Sequence, residues 1–287
     1  MLFRSLVYGM SRFESLATGI DAIVADGRAS IVSLSYGKCL LPGEYILQDE
    51  VDAGTLSFAA AAAAGVSIFA SSGDTGAYTC HMFEPAEQRP TVTWPSCAGE
   101  VISVGGTFLE TRDDGSWLRE TGWQDYLVTG GGGGGINPVE PRRAWQTGGG
   151  LGDPSGMLRV CPDVAAAADP DTGYQVFATD PVTGIAGWQM IGGTSAAAPL
   201  WAGMAAIVGQ VAADRGRGLD GEPGRLGFLA PALYAAAAAR PDAFHDIVRG
   251  GNLLDEAAEG WDLSTGLGSP RLATLADALV SALPVLP

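Results

Sequence analysis

Histidine is nearly missing from this chain: His81 and His245 are the only two in 287 residues. Lysine and arginine are scarce too, 16 against 32 Asp and Glu, for a formal net charge of −16. Phosphate binding needs clustered basic side chains, so no nucleic-acid partner is expected. Only 17% of residues are charged, so long stretches must be buried. An acidic, weakly charged surface suits an acidic milieu, where neutral carboxylates repel each other less. A soluble acidic protein has the same balance, and charge alone does not separate the two. No apolar run is long and clean enough to be expected to span a membrane, since residues 58–70 and 196–211 are short and rich in Ala and Gly. Residues 1–9 lack the apolar core of a signal peptide. None of the four cysteines (Cys39, Cys80, Cys97, Cys161) lies in a CxxC pair, so a zinc ribbon is not expected. An even number permits two disulfides. Cys39 and Cys80 each follow a strand-like run and can pair, and four buried thiols are the other reading.

Glycine (42) and apolar residues (47%) are plentiful, as suits one large domain or two small ones. Phe13, Leu16, Ile20 and Ile23 recur at helical spacing and predict a helix over 12–25. Residues 52–64, 228–240 and 272–283 also read as helices. Residues 30–36, 65–70 and 100–105 are β-branched or apolar runs closed by turn residues, which predicts strands. Strand and helix alternate, which implies right-handed crossovers and a parallel sheet. Functional groups of such sheets gather at the carboxyl ends of the strands, where Tyr36-Gly37 and Gly73-Asp74 fall. Residues 175–178 and 187–191 look like a strand pair. Residues 111–160, with six consecutive glycines at 130–135, read as long loops, flexible or closely packed beside a cleft. No Gly-Lys-Ser/Thr follows the glycines, so they do not form a phosphate loop.

The most informative stretch is Gly192-Gly193-Thr194-Ser195-Ala196-Ala197-Ala198-Pro199. Glycines allow the backbone angles of a sharp turn into a helix. Small residues after Ser195 let the helix pack closely and leave the hydroxyl open. Helix N-terminal amides favour the negative charge of a tetrahedral intermediate. The plainer reading is an N-cap before an apolar helix. A nucleophilic serine normally uses histidine as its base, yet neither His81 nor His245 lies in a His-Gly-Thr context. At pH 3–4 an imidazole stays protonated, whereas a carboxylate is matched to that range. Serine with carboxylates is therefore coherent at acid pH. Asp74, in Ser71-Ser72-Gly73-Asp74-Thr75-Gly76, can donate to a developing oxyanion when protonated, although Ser-Gly-Asp-x-Gly is also ordinary turn chemistry. Asp246 and Asp262, with nearby loop carbonyls, suit a hard cation such as calcium, or are two surface loop acids.

Taken in order, these segments resemble the sedolisin family of serine-carboxyl peptidases. The matching pieces are 32–37 (VSLSYG), 70–76 (ASSGDTG), 104–107 (VGGT), Pro162-Asp163-Val164 with Ala168-Asp169-Pro170, 192–199, and Asp246-Ile247 with 260–270. The resemblance implies an α/β fold, a subtilisin-like parallel sheet flanked by helices on both faces. It implies Ser195 as nucleophile, Asp74 as oxyanion-hole aspartate, and Ser33, Leu34, Ser35, Tyr36 and Gly37 as the segment that holds the substrate backbone. It also implies one structural Ca2+, held by the side chains of Asp246 and Asp262 and the carbonyls of Ile247, Ala258 and Gly260. Ala258 stands where the family usually has glycine, which a carbonyl ligand tolerates unless φ must be positive.

The family's base is a Glu with an Asp partner, spaced E-x-x-x-D on one helical face, well ahead of the segment matching 30–37. Only 29 residues precede that segment, and Glu14 and Asp21, seven apart, read as helix-surface acids. The family's first strands, its Glu/Asp helix and its propeptide are thus expected to be missing. The expectation is one incomplete peptidase domain over 1–287, with a calcium-loop region at about 244–270. It would cleave peptide or protein substrates at acid pH, as an endopeptidase or tripeptidyl-peptidase. The full-length form would be secreted and would carry its own propeptide. The alternatives are an inactive, calcium-stabilised binding or scaffold protein, and an esterase that pairs Ser195 with another base.

Overall fold

The computed structural model describes residues 16–127, 130–147, 150–151 and 157–286. The chain opens with α1 (Leu16–Asp26), β1 (Ile31–Leu34), α2 (Gln48–Ala63), β2 (Ser67–Ser71) and β3 (Ile102–Thr111). Then come β4 (Trp117–Gly122), β5 (Gly135–Pro141), β6 (Leu158–Cys161), β7 (Val164–Ala167), β8 (Tyr174–Thr179) and β9 (Ala186–Ile191). It closes with α3 (Thr194–Asp214), α4 (Ala230–Ala239) and α5 (Leu272–Ala282).

Strands β1, β2, β3 and β7 lie side by side in that order, all parallel, with β4 antiparallel to the outer half of β3. The register pairs Leu34 with Ala70, Phe69 with Ile102, and Val104 with Val164. Every residue of β2 is buried, as a strand covered on both faces requires. Alternation along it sorts the core. Phe69 stacks on Trp201 at 6.3 Å and faces α3, α4 and α5. Ile68 and Ala70 point the other way, against Leu16 and Ile20 of α1 and Phe58 of α2. Each large apolar side chain buried there contributes about 1.5–3 kcal/mol. The expected parallel sheet with helices on both faces is what the chain forms.

Helix α3 crosses the middle of this sheet. Its buried stripe (Ala197, Ala198, Trp201, Ala205, Val208, Ala212) is mostly alanine, which lets the helix sit close to the strands. Trp201 Nε1 donates to the Ala165 carbonyl of β7 (2.9 Å) and fixes the helix along its axis. At 21 residues α3 exceeds the expected 196–211, and by length and composition alone it would pass for a membrane span. It packs instead as the central core helix.

Strand and helix boundaries shift by a few residues from expectation. Helix α2 begins at Gln48, so Asp49 and Glu50 occupy its first turn, where carboxylates favour the helix dipole. Residues 12–15 of the expected first helix, including Glu14, lie outside the described residues. The larger correction is at 111–160, which holds β4, β5 and β6 rather than loop alone. Each of these strands is stabilised by its pairing, β4 with β3 and β5 with β6 across a bulge. Two disulfides, Cys39–Cys80 and Cys97–Cys161, tie loops across 41 and 64 residues. The first is the pairing the strand-like runs allow. The reading of four buried thiols is set aside.

Beside the sheet, Asp163 is wholly buried and bridges β7 to its surroundings. It accepts from Ser103 N–H (2.8 Å), the Arg159 guanidinium (2.6 Å) and the Tyr234 hydroxyl (2.8 Å). Burial and the Asp163 charge push the Tyr234 phenol well above its ordinary value. Removing one partner of such a buried pair strands the other charge, at a cost of about 3–5 kcal/mol.

Candidate active site

The carboxyl ends of β1 and β2 and the start of α3 meet at one place. After β2, residues Ser72, Gly73 and Asp74 turn toward the helix. Asp74 Oδ1 accepts from the Thr194 N–H (2.7 Å) and from the Thr194 hydroxyl (2.8 Å). Gly73 N–H donates to Thr194 Oγ1 (3.1 Å). The helix is therefore capped by a carboxylate 120 residues away in sequence. Thr194 is its first residue, and Gly193 holds the capping position with φ +93°. The sequence reading that a hydroxyl residue of the turn caps the helix is corrected: the turn itself is glycine, and the cap is tertiary. Gly193 has no alternative. Its φ is open mainly to glycine, and a Cβ there would lie 2.8 Å from Asp74 Oδ2.

The six-glycine run braces the same loop. Gly131 N–H donates to the Asp74 carbonyl (3.1 Å) and Gly133 N–H to the Gly73 carbonyl (2.9 Å). A Cβ on Gly133 would overlap the Ser72 backbone, and one on Gly134 the Leu263 carbonyl. Of the two expectations for this run, close packing is the one observed. On the other flank, Gly193 N–H donates to the Ala168 carbonyl. The adjacent Asp169 is buried and accepts from Asp171 N–H (2.9 Å). Burial, with the Asp171 and Asp125 charges, raises its carboxyl above the ordinary value.

Ser195, the second residue of α3, is exposed. Its carbonyl accepts from the Ser35 hydroxyl (2.7 Å), just past the end of β1. Ser33 and Ser35 are exposed, Leu34 is buried, and Tyr36 and Gly37 are half-buried. The 33–37 segment thus borders Ser195 through Ser35. An open hydroxyl thus stands at a helix N-terminus, whose amides favour negative charge, beside an Asp carboxyl group that donates to an anion only in its protonated form.

The histidines are placed elsewhere. His245 stacks on Trp117 with ring centroids 4.5 Å apart, and burial with the nearby Arg271 charge holds it below its ordinary value. His81 lies in the short turn Thr79–Met82. Asp21 is exposed on α1.

The five expected calcium donors fall in one loop cluster. Asp246 Oδ2 accepts from Gly260 N–H (3.1 Å), and Asp262 Oδ2 from Ala258 N–H (3.1 Å). Asp262 Oδ1 accepts from Ser264 and Thr265 N–H, both at 2.8 Å. Ala258 is not among the residues with positive φ, so alanine costs nothing there. No group of three or more acidic, His or Cys side chains able to hold a metal exists among the described residues. An ion here would depend on carbonyls and water for most of its shell. The donor set is all oxygen, as calcium prefers, while the buried Asp262 carboxylate already accepts from three backbone N–H groups. In donor type the residues present are compatible with the ion.

Sequence reasoning placed Ser35 in the substrate-holding segment and the glycine run beside a cleft, but it did not give the bonds of Ser35 to Ser195, of Thr194 to Asp74, or of glycines 131 and 133 to residues 73 and 74. Pro199, four residues after Ser195, was the available signal that the Ser195 carbonyl takes a donor from outside the helix.

Comparison with known proteins agrees with the geometry. Residues 7–222 match the Subtilase family, peptidase S8. The chain is 36% identical to kumamolisin of Bacillus sp. strain MN-32, over 88% of this chain and 43% of that protein. It is 32% identical to sedolisin of Pseudomonas sp. strain 101, over 96% and 45%. It is 31% identical to human tripeptidyl-peptidase 1, over 77% and 38%. The chain thus spans about half the length of the curated relatives it matches, or less. A solved structure of Pseudomonas sedolisin, a serine-carboxyl proteinase in complex with pseudo-iodotyrostatin, superposes with a TM-score of 0.80 at 29% identity. That match covers 95% of this chain and 71% of the other.

Proposed function

Because this chain belongs to the subtilase family, and to the sedolisin kind within it, we propose that it is a serine-type peptidase acting on peptide or protein substrates at acid pH. The observation that carries the reading is the junction of Asp74, Thr194 and Ser195, drawn from segments 120 residues apart. In this reading Ser195 is the nucleophile. Asp74, protonated, donates to the oxyanion through the oxygen that Thr194 leaves free. Segment 33–37 lies along the substrate backbone. A calcium ion held by Asp246, Asp262 and the carbonyls of Ile247, Ala258 and Gly260 would supply positive charge that ties the 246–262 loops together. The two disulfides support an oxidising, extracellular setting.

A serine hydroxyl needs a base. No helix among the described residues carries a Glu and an Asp at E-x-x-x-D spacing, and the second reading, an inactive calcium-stabilised scaffold, needs none. Loss of a catalytic member leaves about 10³–10⁴-fold acceleration over water. The two separate in one assay. The chain, alone and extended by the genomic sequence preceding its first codon, is incubated with a denatured protein at pH 3–5. The peptidase reading expects cleavage by the extended form that Ser195→Ala abolishes. No cleavage by either form leaves the scaffold.

A further inference from the structure

Helix α3 carries a proline in its second turn, Pro199. Proline has no N–H, and its ring crowds the carbonyl four residues back. That carbonyl belongs to Ser195. It loses its helical donor and is pushed out of the ladder, toward the end of β1. There the Ser35 hydroxyl donates to it at 2.7 Å, across 160 residues of sequence. We propose that Ser35 is a positioning residue that supplies the hydrogen bond Pro199 removes and so fixes the orientation of Ser195.

The carbonyl and the reactive hydroxyl belong to one residue. A donor held rigidly on that carbonyl sets ψ of Ser195, and with it the direction of the Cα–Cβ bond. Ser35 is itself held firmly. On one side it continues β1, whose register with β2 runs to Leu34–Ala70. On the other, Cys39 is tied to Cys80, and Lys38 and Cys39 pair with Trp94 and Thr93. A helix with an unbroken ladder would hold the Ser195 carbonyl parallel to its own axis. The proline and serine together exchange that internal bond for one to the substrate side of the cleft. Segment 33–37 and Ser195 then move as one piece, so a peptide lying along the segment is registered against the hydroxyl.

The role of Ser195 rests on the peptidase reading, but the hydrogen-bond exchange does not. Its test is a double-mutant cycle in the full chain, and in the extended chain for activity. The four proteins are wild type, Ser35→Ala, Pro199→Ala and the pair. In the Pro199→Ala background, position 199 regains an N–H that is available to the Ser195 carbonyl, so the loss of Ser35 is compensated. Urea unfolding should show Ser35→Ala lowering the folding equilibrium constant about 2- to 10-fold beside Pro199, and by less than about twofold in the Pro199→Ala background. In peptide hydrolysis, Ser35→Ala should lower kcat at least about tenfold, as misplaced reacting groups do, with KM little changed. Ser35→Thr, which keeps the hydroxyl, should restore kcat. An equal effect of Ser35→Ala in both backgrounds overturns the proposal, as does a Ser35→Thr variant as slow as Ser35→Ala. A wild type with no activity but with the stability coupling intact removes the peptidase reading and leaves the exchange standing.

Discussion

Replacing Asp74 by alanine separates a cap from a catalytic donor. Oδ1 satisfies both the N–H and the hydroxyl of Thr194, at 2.7 and 2.8 Å. Alanine removes both bonds and leaves the first amide of α3 without a partner. Loss of a helix cap costs about 0.5–2 kcal/mol, and hydrogen bonds to a charged group contribute about 1.5–3. Asp74 is partly exposed, so water replaces some of this. We therefore expect Asp74→Ala to lose about 1–3 kcal/mol in denaturant unfolding. Asparagine keeps the Oδ1 acceptor and loses only the charge at the helix N-terminus, about 0.3–1 kcal/mol. The kinetic expectation is different. Removing one oxyanion donor typically costs about 10²–10³ in kcat, so Asp74→Ala should fall by that much beyond any change in folded fraction. An amide is a permanent donor, so Asp74→Asn should keep more of the kcat that alanine loses. The experiment is urea unfolding of the three proteins alongside kcat of the same variants in the extended chain. An alanine variant that is destabilised but as fast as wild type would reduce Asp74 to a tertiary cap. An asparagine variant as unstable as alanine would refute the role given to Oδ1.

Three other predictions follow from the structure. If calcium is bound, a chelator should lower the Tm, since an ion at 100 times its Kd stabilises by about 2.7 kcal/mol; the shift should vanish in Asp262→Asn, and a melting curve indifferent to chelator in wild type removes the ion. Opening Cys39–Cys80 or Cys97–Cys161, which close loops of 41 and 64 residues, should cost about 4 kcal/mol each on loop entropy, read as a fall in urea midpoint for the Cys39→Ala/Cys80→Ala pair; a midpoint unchanged by that pair contradicts it. Burial raises the Glu140 carboxyl against the lowering pull of Arg143, so its stabilisation is complete below the unfolded-state pKa and is lost as pH rises through the higher native value. Glu140→Gln should therefore gain on wild type as pH increases across that window, and parallel stability–pH curves would show the shift to be absent.

The local pattern in the sequence was enough for much of the frame. The β-branched runs before Tyr36 and Asp74, the alanine-rich stretch after Ser195 and the helix–strand alternation all specify elements whose period and burial are set by nearest neighbours. The ordered motifs pointed to the family. What stayed hidden depends on partners far along the chain. Strands β4, β5 and β6 have weak patterns of their own, and β5 and β6 exist because Ile136 meets Val160 across a bulge. The glycine run reads in isolation as flexible or closely packed, and it is packed because the Ser72 and Leu263 backbones leave no room for a Cβ. Thr194 looks like a cap in sequence. The fold instead places Asp74 over the helix end, and glycine takes the capping position because only it accepts φ +93° there. Sequence by itself determined which residues are able to do chemistry and which strongly patterned segments become strand or helix, because those properties are local. Only the tertiary structure decided that Asp74 meets Thr194 and Ser35 meets Ser195, because a hydrogen bond across 120 or 160 residues exists only once the sheet has brought its strand ends to the start of α3.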